Sequence, residues 1–157
     1  MQTNYLLPNK HKTSGWIILL IGLISGTYIW FTDYESDYLT IKVFTILSDD
    51  QIFDSSREIF KIIENSIVDE LAALAIIIGG IIVGFSKEKI EDEFIYKLRK
   101  DSLVWAIIFN YVVLALTIIF VYNFSFFHIL VFNMFTPLLF FIIRFNFLKH
   151  KTRSHEE

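Results

Sequence analysis

The sequence predicts an all-α integral membrane protein: a four-helix bundle with a short extracytoplasmic amphipathic helix and a cytoplasmic helical connector. Three observations carry this expectation. Apolar residues make up 54% of the 157-residue chain, whereas soluble domains run at about 45–50% even with glycine counted. The excess is gathered in four runs separated by polar segments, the pattern that a bilayer selects. The stretch 79–105 leaves one apolar run, crosses 16 residues of which ten are charged, and enters the next run at Leu103. A water-soluble core does not switch this sharply. One membrane domain over residues 1–157 is expected, with spans at about 15–31, 70–86, 103–122 and 126–146.

The first polar segment, 1–14, carries Lys10, His11 and Lys12 before the first apolar run. A basic segment before an apolar run also describes a signal peptide, but Trp30, Phe31, Thr32 and Asp33 do not form a small-residue cleavage site. An uncleaved signal-anchor is expected. The first span, 15–31, rises about 25 Å at ~1.5 Å per residue. Trp16, Tyr28 and Trp30 lie near its ends, as interfacial aromatics do.

Residues 32–69 form an acidic extracytoplasmic loop. Leu39, Ile41 and Val43 alternate with polar neighbours, the period of a strand, although Phe44, Ile46 and Leu47 blur the pattern. Ser55-Ser56-Arg57-Glu58 fits a capping box, in which a Ser oxygen accepts from a free backbone N–H and Glu reaches back. Behind it Ile59, Phe60, Ile63 and Ile67 share one helical face, so a short amphipathic helix is expected on the membrane surface or against the spans.

The second span, 70–86, has a strictly apolar part of only fifteen residues, 71–85. That length alone would also suit a buried soluble helix. The charges on either side favour a crossing. The segment before it is acidic, and the connector after it, 87–102, is rich in Lys and Arg. Ile90, Phe94 and Leu98 recur every four residues in that connector, which predicts a helix with one apolar stripe. They are the candidate interaction residues. The third span, 103–122, carries no charge, and Asn123-Phe124-Ser125 leaves room for a tight turn into the fourth. Arg144 at the inner end is expected to snorkel to lipid phosphate. Short basic loops stay on the cytoplasmic side. With both termini cytoplasmic, eleven of the fourteen Lys and Arg residues fall there.

The runs Gly84-Phe85-Ser86-Lys87-Glu88-Lys89 with Glu91-Asp92-Glu93, and Asn133-Met134-Phe135-Thr136 with Phe141-Ile142-Ile143-Arg144-Phe145-Asn146, resemble those of an uncharacterised family of small four-span bacterial inner-membrane proteins. The resemblance covers residues 69–146 best. It implies the architecture and a bacterial inner-membrane location, and it implies no activity.

Two GxxxG motifs, Gly22/Gly26 and Gly80/Gly84, fall at similar depths in the first and second spans. Glycines four apart let helix backbones approach closely, so these two faces are expected to meet. Asn110, Thr117 and Asn133 are the other helix-packing candidates, with Asn133 opposite Thr117. Uncharged polar residues of this kind bond between helices at about 0.6 kcal/mol each. Pro137 removes a backbone N–H from the fourth span and is expected to kink it.

Enzyme signals are absent. The chain has no cysteine, which excludes disulfides, thiolate metal ligands and cysteine nucleophiles. His11, His128, His150 and His155 lack metal-ligand spacing, and no GxSxG, HExxH or phosphate loop occurs. No catalytic, cofactor-binding or metal residue is predicted, and the small net charge of −3 gives no basis for nucleic acid. The expected function is a non-enzymatic inner-membrane protein that acts through helix packing and protein–protein interaction, as a subunit, adaptor or regulator. A small oligomeric channel is the alternative, and a membrane enzyme acting on lipid ranks behind both. The expected partners are the lipid bilayer and either a second copy or an unidentified membrane protein.

Overall fold

The computed structural model describes residues 5–32, 39–49 and 57–153. They form helices α1 (Lys12–Phe31), α2 (Val68–Gly84), α3 (Glu93–Phe120) and α4 (Phe124–Arg153), and strands β1 (Thr40–Asp49) and β2 (Arg57–Ser66). The chain divides into two compact units. One is Met1–Ile21 with Ala75–Glu157, and the other is Gly22–Leu74.

Among the described residues, three helical segments are long and apolar enough to cross a membrane: Asn9–Phe31, Glu93–Phe120 and Phe124–Thr152. The second predicted span appears as α2, with 17 residues. At ~1.5 Å per residue it rises about 25 Å. Asp69 and Glu70 lie in its first turn, where acidic side chains complement the helix dipole.

In the larger unit α2 lies between α1 and α4. A Cβ on Gly79 would sit 2.5 Å from the backbone nitrogen of Leu19, and one on Gly15 would sit 2.6 Å from the Ile82 side chain. Residue numbers rise on one helix as they fall on the other, so the contact runs antiparallel. The face carrying Gly80 and Gly84 is turned to α4, where a Cβ would meet Leu138 at 2.5 Å and Phe141 at 2.7 Å. The expected partner of that face is therefore corrected. The backbone approach between α1 and α2 uses Gly15 and Gly79, one helical face away. Gly22 and Gly26 belong to the other unit.

α3 and α4 form a hairpin. Phe109 stacks on Phe140 with ring centres 4.4 Å apart. The reversal occupies 121–123, so α4 starts at Phe124, slightly before the expected turn had ended. Asn123 takes φ 60° there, a left-handed conformation that Asn tolerates better than most residues. The Val121 N–H donates to Thr117 O at 2.9 Å, closing the last turn of α3. Leu19, Ile76, Val83, Ala106, Phe141, Ile142 and Phe145 are buried in this unit.

The smaller unit holds the main correction to the fold class. Residues 57–66 are strand rather than amphipathic helix. β1 and β2 pair antiparallel from Thr40↔Ser66 to Asp49↔Arg57. Ile59, Ile62 and Ile63 are β-branched and favour a pleated surface. The i, i+4 spacing of Ile59 and Ile63 fitted a helix equally well, and the partner strand decides between the two. Of the expected capping box, Ser55 and Ser56 lie outside the described residues, and Glu58 is part of β2. The Ile67 N–H donates to Leu39 O at 3.3 Å, one pair beyond the ladder, and Asn65 Nδ2 donates to Glu70 Oε1 in the first turn of α2 at 3.0 Å.

The connector is corrected as well. Helix begins only at Glu93, where Asp92 accepts from the Ile95 N–H at 2.7 Å and caps the first turn. Residues 85–92 are not helical. Ile90 thus leaves the expected stripe, while Phe94 and Leu98 remain on α3.

Candidate functional site

The charged residues at the basic end of the larger unit draw three segments together. The extended stretch before α1 lies alongside the chain leaving α2. Leu7 N–H donates to Phe85 O at 2.9 Å, and Lys87 N–H donates to Leu7 O at 2.9 Å. Asn9 Nδ2 donates to Lys87 O at 2.6 Å. The N-terminal segment is thereby strapped across the end of α2.

Two ion-pair groups fill the space behind this strap. Glu88 Oε1 accepts from Lys12 Nζ of α1 and, at 3.2 Å, from Lys149 Nζ of α4. Arg99 of α3 makes a fork–fork pair with Glu91, Nη1 to Oε1 at 2.5 Å and Nη2 to Oε2 at 3.1 Å. Its Nη2 also reaches Ser86 O at 3.2 Å. Glu91 Oε2 in turn accepts from the Glu88 N–H at 2.8 Å, which links the two groups through the loop backbone. Arg99 is only 4% exposed. A buried charge persists only when paired and hydrogen-bonded.

Phe145 is the apolar centre of the arrangement. Lys12, Arg99 and Lys149 lie 5.9, 5.1 and 5.8 Å from its ring centre, within the range of cation–π attraction. Nearby, Arg144 Nη1 donates to the buried Ser102 Oγ at 3.1 Å, and its guanidinium stacks over Trp105 at 5.6 Å. Arg144 therefore bonds to α3, which corrects the expectation that it reaches out to lipid.

Burial opposes the charge on Glu88, but the hydrogen bond and charge of Lys12, joined by Lys149, outweigh it and hold the carboxyl below its ordinary value of 4.5. A carboxyl depressed in the fold stabilises it above the unfolded value, and that stability is lost as pH falls through the folded value. The thermal stability of detergent-solubilised protein is expected to decline as pH is lowered below about 4.5. Glu88→Gln should reduce that dependence. An unchanged pH profile in the variant would contradict the assignment.

A half-open cavity of about 480 Å³ adjoins Glu88. Asn9, Lys12 and Trp16 line it from the α1 side, Lys89 and Phe94 from the connector and α3, and Lys149 from α4.

Ile90 is 72% exposed beside the cavity, and Phe94 is half-exposed. The hydroxyl of Thr117 is buried and donates to Val113 O of its own helix at 2.9 Å, rather than to Asn133. Asn110 Oδ1 and Asn133 Nδ2 are covered and find no partner among the described residues. Pro137 lies inside α4 and has no N–H for the Asn133 carbonyl four residues earlier. Sequence reading missed Lys12, Glu88, Glu91, Arg99 and Lys149 as a group. The available signal was the even charge balance of the connector, five basic and five acidic residues over 86–101, which suits internal pairing. Among the described residues, no group of three or more His, Cys, Asp or Glu could hold a metal ion. No family model, no curated protein and no solved structure matches this chain.

Proposed function

We propose that this is a non-enzymatic, multi-pass protein of a bacterial inner membrane that serves as a subunit, adaptor or regulator by docking another membrane protein. In this reading four helices cross the bilayer, both termini are cytoplasmic, and the β1–β2 ribbon stands on the outer side. The position of α2 between α1 and α4 supports a crossing despite its 17 residues. The Lys and Arg asymmetry supports the orientation.

The observation that carries the docking role is an apolar patch on one face of the ribbon. Phe44, Ile46, Phe60 and Ile62 are 64–67% exposed there, and Phe44 stacks on Phe60 at 5.9 Å. Phe60 also adopts φ 62°, a conformation that disfavours a residue with a Cβ by about 1–2 kcal/mol. Lys42 and Glu64 pair at 3.9 Å beside the patch, an exposed pair that adds little stability. Covering each large apolar side chain is worth roughly 1.5–3 kcal/mol.

The test is affinity purification from native membranes with the double variant Phe44→Ser, Phe60→Ser. One stoichiometric partner is expected with the unmodified protein, and its loss from the variant at unchanged thermal stability. No such partner, together with ion leakage from liposomes holding the purified protein, would favour an oligomeric pore.

A further inference from the structure

We propose that the cavity beside Glu88 seats the phosphate of an anionic phospholipid headgroup. Its volume of about 480 Å³ falls in the range of small-ligand sites, about 300–1,000 Å³. Its lining has two kinds of surface. Lys12, Lys89 and Lys149 supply ammonium donors, while Trp16, Ile90 and Phe94 supply apolar contact.

The charge balance favours an anion. Lys12 and Lys149 both bond to the same carboxylate oxygen of Glu88, so one carboxylate faces two ammoniums. An ammonium carries three N–H donors. Lys12 uses one on Glu88, and Lys149 uses one on Glu88 and one on Asn146 Oδ1 at 3.3 Å. Lys89 adds a third positive charge to the lining, and the second carboxylate, Asp92, is engaged as the cap of α3. The cavity thus has one net positive charge, and the part-buried ammoniums of Lys12 and Lys149, with the exposed one of Lys89, are suited to charge-assisted bonds with phosphate oxygens.

Location selects the lipid among phosphate carriers. The apolar segments Asn9–Phe31 and Phe124–Thr152 both end at this cavity, so it lies where headgroups lie. Basic pockets between membrane helices on the cytoplasmic side are suited to headgroups of this charge. Ile90 and Phe94, exposed beside the cavity, are placed to meet the glycerol and upper acyl region. The inference is independent of the docking patch on the ribbon, and neither stands or falls with the other.

The experiment is native mass spectrometry of the full chain in detergent, titrated with phosphatidylglycerol, phosphatidylcholine or inorganic phosphate. Phosphatidylglycerol is expected to bind at least about tenfold more tightly than phosphatidylcholine, with inorganic phosphate far weaker than either. Lys89→Gln lies outside the ion pairs and should weaken phosphatidylglycerol binding several-fold without loss of thermal stability. Glu88→Gln removes a negative charge from the lining and should strengthen it. Equal binding of the two lipids, weaker binding in Glu88→Gln, or equal occupancy by inorganic phosphate would overturn the proposal.

Discussion

Glu91→Ala is expected to lower the stability of the purified protein more than any other single change to its charged residues. Arg99 is 4% exposed, and Glu91 accepts two of its hydrogen bonds. Without the carboxylate the guanidinium keeps only Ser86 O and the Phe145 ring, while Arg99 Nε already lacks an acceptor among the described residues. Removing one partner of a buried pair costs roughly 3–5 kcal/mol, because the other charge is left uncompensated. Native proteins hold only about 5–15 kcal/mol in total. A drop in melting temperature on the order of 10 °C in detergent is therefore expected. The double variant Glu91→Leu, Arg99→Met should recover most of the loss, since apolar residues of similar volume often replace a buried pair at little cost. If Glu91→Ala melts with the unmodified protein, the pair is solvated and does not stabilise the fold.

Gly79→Ala is the second large effect, and its contrast with Gly80→Ala is the informative part. The new methyl at 79 would lie 2.5 Å from Leu19 N, 2.8 Å from Leu19 Cα and 3.0 Å from Gly15 O. All three are backbone atoms of α1, so only a shift of the whole helix relieves the overlap. Overpacking of this kind costs typically 1–3 kcal/mol. At Gly80 the same methyl would meet Leu138 Cδ2 at 2.5 Å and Cγ at 2.9 Å, the far end of a side chain that can rotate away. Thermal melts should rank Gly79→Ala clearly below Gly80→Ala. Equal melting temperatures would mean that α1 and α2 are not in backbone contact.

The apolar runs and their ends were legible because they depend on local composition. Three of the four runs are helices long enough to cross a membrane, and the sharp change around 86–102 locates the charged end. What failed were patterns that two structures share. Ile59 and Ile63 suit a helix by spacing and a strand by branching, and β1 settles the matter through pairing that no local window contains. The stripe Ile90, Phe94 and Leu98 reads as one helix face, but Asp92 caps α3 in the middle of it. GxxxG spacing marked Gly80 and Gly84 as a thin face without saying which helix would fill it. The ion pairs of Glu88 were hidden for a different reason. Lys12, Glu88 and Lys149 are brought together from three distant parts of the chain, and charges near span ends resemble solvated topology signals until the fold closes on them.

The proposed topology has α2 crossing the bilayer, and its most direct test is which side of the membrane residues 62 and 89 face. Because the chain has no cysteine, single cysteines can be placed without background. Ile62→Cys on the ribbon and Lys89→Cys beside Glu88 should be treated with a membrane-impermeant maleimide on intact spheroplasts. Ile62→Cys is expected to label at once and Lys89→Cys only after permeabilisation. Labelling of both positions from the same side would contradict that topology.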